Sequence, residues 1–338
     1  MRPLVSDQVG KTLSHAAHRL GTANPMRLIG GAVQDAFSMS VGDDRYRHNS
    51  LSPGVPALEA SFNETEPYGL RFTMEPLDPG ASAAMKRAEA SRQVRRWILP
   101  MFGRDALYWF DRVSEDFRGT SGGGGLRFGG WFGGSLDRDG LYNSRAYYEL
   151  NDQQLTELPQ PLKQYIETAR GYFPRLQPLF ATISVRQRSG REWATFRVMG
   201  ALQIEALRPM LSGLGLEAKM AQLTRLFGLA LGGAFEAPDG GVLIGITAGP
   251  DGPELTVDLL LAAIPEIPDS FVELLRLGLA ERPRHLRALD TWIDAFTPQG
   301  AQTPGDFSVL SIHLKNSAPA QISLHLRPMG FEIADEIA

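Results

Sequence analysis

The sequence predicts an α+β fold: five ααββ repeats whose strands form a ten-stranded antiparallel β-barrel surrounded by α-helices. Three observations predict it. The order helix, helix, strand, strand recurs five times between the N-terminus and Pro328, and a repeated order of elements is a stronger fold signal than any single motif. Each strand pair reads as a hairpin joined by turn-forming residues. Within the strands apolar and polar residues alternate, so one face is apolar while the other is polar, basic and rich in glycine.

The first unit has helical periodicity over 5–20 and 26–38. A polar stretch with Gly and Pro follows at 42–56, then strands over 57–63 and 69–75. The second predicts helices over 82–102 and 105–117, and strands over 126–136 and 141–150 that turn at Asp137–Gly140. In the third, a short helix over 152–157 precedes a longer one over 161–173, with strands over 179–188 and 192–199. The fourth has helices over 204–211 and 217–231, and strands over 242–248 and 254–261 around Gly249-Pro-Asp-Gly252. The fifth has helices over 269–279 and 283–296, and strands over 307–314 and 321–327. No shift in composition marks a boundary, so residues 1–338 are read as a single domain.

The apolar face carries Leu70, Phe72 and Met74, then Ala146 and Tyr148, and so on to Ile322, Leu324 and Leu326. Ten amphipathic helices are expected to cover it. The other face carries Glu59, Arg71, Arg145, Tyr147, Arg186, Arg197, Asp258, His313, His325 and Arg327 among others. That many ionisable groups cannot fill a dry core, because an unpaired buried charge is too costly. They must meet water or a ligand. A closed barrel with a wet lumen satisfies both faces and leaves no open sheet edge. The alternative is an open sheet with helices on one side and its polar face in solvent.

Composition narrows the function. The chain has 338 residues, 43% of them hydrophobic, a net charge of -4 and a pI near 5.9. General attraction to nucleic acid or to an anionic membrane is not expected. No cysteine is present, so thiolate metal sites and cysteine nucleophiles are excluded, and a reducing cytoplasm is the expected compartment. The first residues lack an apolar signal core, and no stretch is long and apolar enough for a membrane span.

The motifs point to a family. One strand, Ala57-Leu-Glu-Ala-Ser-Phe, carries an acidic residue, and the next reads Leu70-Arg-Phe-Thr-Met-Glu-Pro76. A later strand reads Ser144-Arg-Ala-Tyr-Tyr148, and the last hairpin pairs Leu310-Ser-Ile-His-Leu with Ile322-Ser-Leu-His-Leu-Arg-Pro328. With the five ααββ units, this resembles the soluble aromatic prenyltransferases of the α-β-β-α barrel family, and within it the dimethylallyltryptophan synthase branch. The resemblance covers nearly the whole chain in architecture and is concentrated, in motif, in the first two hairpins. It implies transfer of a prenyl group from an allylic diphosphate, the co-substrate, to an aromatic small molecule or a peptide side chain, with no further cofactor. It implies Glu59 as proton acceptor, Arg71 and Arg145 as a grip on the diphosphate, and Tyr147 as a shield for the allyl cation. The chain departs from the family in its later units. Trp193, Thr195 and Arg197 stand where an Arg-x-Lys-x-Tyr strand is expected, and Thr256 and Asp258 replace Lys-x-Tyr. Val309, Ser323 and His325 replace the last tyrosines. Either the cation is protected differently, or the barrel binds a small molecule or peptide without prenyl transfer or catalyses another reaction in its lumen.

The residues themselves suit the chemistry. Arg71, Arg145, Arg186, Arg197 and Arg327, with His325, offer an anion site, since guanidinium groups bind phosphate oxygens in bidentate fashion. The same arginines could instead pair with Glu75, Glu149 and Asp258, and Glu59 could pair with Arg71. Tyr147, Trp131 and Trp193 present π faces to a cation or simply pack. Thr256, Asp258 and His313 are candidate acceptor contacts, the histidines being equally suited to neutral roles in the barrel. Glycines at 122–125 and at 129, 130, 133 and 134 either make room for a bulky acceptor or bend a barrel strand. Gly119-Thr-Ser-Gly-Gly123 fits a nucleophile-elbow pattern without its strand–turn–helix context. No P-loop, dinucleotide fingerprint or HExxH motif occurs. Asp43-Asp44 lacks the second aspartate pattern of a magnesium-binding isoprenoid enzyme, so no metal site is expected.

Overall fold

The computed structural model describes residues 3–118, 125–265 and 267–328. The strands are β1 (Leu58–Asn63), β2 (Leu70–Met74), β3 (Gly130–Asp137), β4 (Gly140–Glu149), β5 (Leu176–Arg186), β6 (Ser189–Val198), β7 (Val242–Gly249), β8 (Gly252–Leu260), β9 (Asp306–Lys315) and β10 (Ala318–Arg327). They close into one antiparallel barrel in which β10 pairs with β1, through Ala60 opposite Leu326 and Asn63 opposite Ser323. Closure rules out the open sheet. It also puts all five hairpin turns on one rim and the links to the helices on the other. A separate short ribbon pairs Leu202–Gln203 with Glu236–Ala237.

The helices are α1 (Val5–Leu20), α2 (Met26–Ala36), α3 (Ala83–Phe102), α4 (Arg104–Arg118), α5 (Gln160–Tyr172), α6 (Arg208–Gly213), α7 (Met220–Ala230), α8 (Phe271–Gly278) and α9 (Pro283–Phe296). Their ends follow local chemistry. Ser82 accepts from the Met85 N–H at 3.3 Å at the start of α3. Gly21, with φ of 67°, closes α1 in the left-handed conformation. Nine α-helices are present among the described residues where ten were expected. The short helix of the third unit is a single 3-10 turn, Gln154–Glu157. Pro159 follows so closely that no second turn can form, because the residue before a proline avoids helical geometry.

The expected apolar face is the core. Phe72, Tyr148, Ile183, Phe196, Ile244, Val257, Ile312 and Leu324 are all buried between barrel and helices. Trp97 of α3 packs against Phe72 and Phe132 at centroid distances of 6.2 and 5.2 Å. Trp292 of α9 meets Phe62 at 6.2 Å. Each such side chain contributes roughly 2 kcal/mol by leaving water. Together they let the inner face carry almost any polar residue.

The β3 glycines serve close packing of the backbone. A Cβ on Gly133 would stand 2.4 Å from the Phe72 carbonyl oxygen, and one on Gly130 2.7 Å from that of Tyr147. They therefore make no space for an acceptor. Residues 119–124, which hold most of the other glycine run, lie outside the described residues. No described helix is long and apolar enough to cross a membrane.

Candidate active site

The lumen holds a cavity of about 500 Å³ that reaches the rim of hairpin turns at Thr65, Glu66, Ser189 and Lys315. Strands β2, β4, β5 and β6 supply Arg71, Arg145, Tyr147, Phe180, Arg186 and Trp193 to one wall. Strands β8, β9 and β10 supply Thr256, Asp258, Ser311, His313, Ser323 and His325 to the other.

The first wall is cationic. Arg71 is only 4% exposed, and its Nε is buried with no hydrogen-bond partner. Arg145 donates from Nη2 to Ser135 Oγ at 3.3 Å. Burial and the neighbouring Arg145 charge lower the Arg71 pKa, yet a guanidinium stays protonated in proteins. The counter-charge is Glu66, from the turn between β1 and β2. It pairs directly with Arg71, lies 2.6 Å from Arg186 Nη2, and accepts from Tyr142 Oη at 3.0 Å. Burial works against the Glu66 carboxylate, but Arg71 and Arg186 outweigh it and hold its pKa below the usual value.

The second wall is built from hydroxyls, histidines and a carboxyl. His313 bridges Thr256 Oγ1 at 3.2 Å and Ser323 Oγ at 2.8 Å. Burial, reinforced by the positive charge of His325, Arg71 and Arg145, depresses its pKa to about 3, so it is neutral. Burial raises the pKa of Asp258, against the Ser311 hydroxyl and His325. One Asp258 carboxyl oxygen is buried without a hydrogen-bond partner. Glu59 is not on the cavity wall. It lies beside His325, Nδ1 to Oε2 at 3.6 Å, and Arg327, Nε to Oε1 at 3.9 Å.

Towards the helix-side rim, the first wall ends in an aromatic floor. Tyr147 and Phe180 are on the cavity surface, 6.0 Å apart between centroids. Trp131 lies 6.2 Å from Tyr147 and 5.6 Å from Phe180, and stacks on Phe128 at 4.5 Å. Sequence reasoning singled out Tyr147 and Trp131 but missed Phe128, Phe180 and Glu66. The polar signature of the inner face passes over a phenylalanine there, although its position in the alternation would have found Phe180.

Several expected contacts are absent. Arg197 is exposed, off the cavity wall, near the helix-side end of β6. Arg327 sits with Glu59 instead of with the arginines of the cationic wall, so Glu59 takes its charged neighbours from β10 and not from Arg71. Glu75 pairs with Lys86 of α3 and accepts from the Ser50 N–H at 2.9 Å. Glu149 accepts from the backbone N–H groups of Arg127, Phe128 and Gly129. Both carboxylates stand where the strands leave the barrel, within reach of other elements, so neither neutralises the lumen arginines. Among the described residues no three His, Asp or Glu side chains converge as metal ligands.

No family model and no curated protein matches this sequence. Solved structures do match. The 5-dimethylallyltryptophan synthase from Streptomyces coelicolor is 14% identical, with a TM-score of 0.72 over 98% of this chain and 99% of that one. The 6-dimethylallyltryptophan synthase from Micromonospora olivasterospora, in complex with DMASPP and Trp, is 16% identical, with a TM-score of 0.70 over 97% and 98%. The prenyltransferase PriB in its apo form is 15% identical, with a TM-score of 0.69 over 98% of both chains. The chain has the prenyltransferase barrel fold. At these identities the likeness carries architecture and not activity.

Proposed function

We propose that this chain transfers a prenyl group from an allylic diphosphate to an electron-rich aromatic acceptor, with an indole first among the candidates. The observation that carries this reading is the convergence of Arg71, Arg145 and Arg186 on one wall beside an aromatic floor, in the lumen of a closed barrel. The C–O bond to the diphosphate breaks with its electron pair leaving on oxygen. The three guanidinium groups stabilise that developing charge where it forms. The allyl cation left behind faces Tyr147 and Phe180, backed by Trp131, whose π faces attract a cation and exclude water. This floor takes the place of the family's missing tyrosines. A ring carbon of the acceptor attacks the cation, and the acceptor's proton leaves through His325 towards Glu59. Thr256, Asp258, His313 and Trp193 surround the acceptor's side of the cavity.

The structural neighbours support this reading: two are named dimethylallyltryptophan synthases and one a prenyltransferase, and one is described with DMASPP and Trp bound. A phenol or a peptide side chain is a second acceptor class compatible with a cavity that opens to solvent. Work in the cytoplasm belongs to the same proposal. The test is incubation with labelled dimethylallyl and geranyl diphosphate against tryptophan, tyrosine and cyclic peptides. Product should form with the wild type and fall about a hundredfold in Glu59→Gln, the usual minimum for a lost acid–base group. Undiminished product in both Glu59→Gln and Arg71→Ala would overturn the assignment.

A further inference from the structure

The cationic wall already contains an anion. Arg71 is nearly inaccessible and cannot shed its proton, so in the ligand-free protein its charge needs a partner. Glu66 is that partner, and it serves Arg186 and Tyr142 as well. It differs from the other lumen carboxylates in position. Glu59 lies within β1, whereas Glu66 lies in the turn between β1 and β2, with its side chain 28% exposed. A turn side chain can rotate out into water without disturbing a single backbone hydrogen bond between the barrel strands.

We propose that Glu66 is a built-in stand-in for a phosphate group: it occupies the anion subsite formed by Arg71 and Arg186 in the empty enzyme and is displaced when a diphosphate binds. The inference rests on the proposed diphosphate site and assigns it a competitor supplied by the chain itself. A diphosphate carries more negative charge and more acceptor oxygens than one carboxylate, so it can also reach Arg145 and the unpartnered Nε of Arg71. Displacement keeps the buried guanidinium neutralised throughout, first by Glu66 and then by the ligand. After transfer, the return of Glu66 helps to release the product diphosphate. Glu66 is therefore a positioning residue for the arginines and a rival of the ligand.

The test is the affinity for inorganic pyrophosphate, by calorimetry and by thermal melting, in the wild type, Glu66→Gln and Glu66→Ala. Without ligand both variants should melt below the wild type, because Arg71 has lost its counter-charge. With pyrophosphate they should gain more in melting temperature than the wild type does. Their affinity should be about tenfold higher, the scale of one charge-assisted contact no longer surrendered. Equal or weaker affinity in both variants, beside a wild type that binds, would overturn the displacement and leave the diphosphate site intact. Absence of pyrophosphate binding in all three would instead overturn the diphosphate reading, and the displacement with it.

Discussion

The two walls of the lumen come from the same repeat and differ in chemistry. On β2, β4 and β5 the inward positions are Arg71, Arg145 and Arg186, with Glu66 leaning in from a turn. On β8, β9 and β10 they are Thr256, Asp258, Ser311, His313 and Ser323. Outward positions on both sides are alike, with Phe72 and Ile183 matched by Val257 and Ile312 in one apolar core. The difference shows that strand parity separates folding from chemistry. Changing an inward residue costs little apolar burial, so the units are free to diverge inside while remaining alike outside. One wall gathers guanidinium groups, and the other is a hydrogen-bonding surface on which His313 is held neutral.

The largest effect should come from stripping charge from the first wall. Arg71→Ala or Arg145→Ala should weaken pyrophosphate binding about a hundredfold, the usual scale for truncating a buried charge contact. Ser311→Ala, on the second wall, should change it by no more than about threefold. Calorimetry with the three variants decides, and a comparable loss in Ser311→Ala would erase the distinction between the walls.

A smaller effect should appear in acid. His313 is neutral in the folded protein, with its pKa depressed to about 3 by burial and nearby positive charge. The unfolded chain takes up a proton below about pH 6.5, so stability should fall as the pH drops from there, by up to about 1.4 kcal/mol per pH unit. Denaturant melts of the wild type and His313→Gln between pH 7 and 4 should show a shallower slope in the variant. Parallel slopes would mean that the imidazole is not held neutral.

The smallest effect concerns Asp258. Burial raises its folded pKa, so the folded state binds its proton more tightly than the unfolded chain does. Stability is then lost as the pH rises past the unfolded carboxyl value. Asp258→Asn should stabilise the empty protein at pH 8 by about 1 kcal/mol, the scale of an unsatisfied buried polar group, and the gain should shrink towards pH 4. A stability loss at pH 8 would show that the carboxylate is well paired.

The barrel was legible in the sequence because alternation over ten strands leaves few ways to satisfy both faces. Leu70, Phe72 and Met74 on one side of β2, with Arg71 and Thr73 on the other, already state the problem that closure solves. Depth within the lumen was not legible. Arg145 and Arg197 have the same parity, but only the first reaches the cavity, since the far end of β6 faces the helix-side rim. Pairing across elements was hidden too. Glu75 looks like a partner for a lumen arginine until α3 brings Lys86 to it. Glu66 sits in a turn without periodicity, so nothing local marks it as the anion of the cationic wall.

All five hairpin turns stand on the rim that the cavity reaches. That rim acts as an adjustable aperture. Lengthening a flexible loop costs little, growing only with the logarithm of its length. Insertions at the Asp137–Gly140 or Gly249–Gly252 turns could therefore resize the entrance, and with it the guests admitted, without moving a wall residue. The opposite rim has no such freedom, because each link there also sets how a helix docks on the barrel.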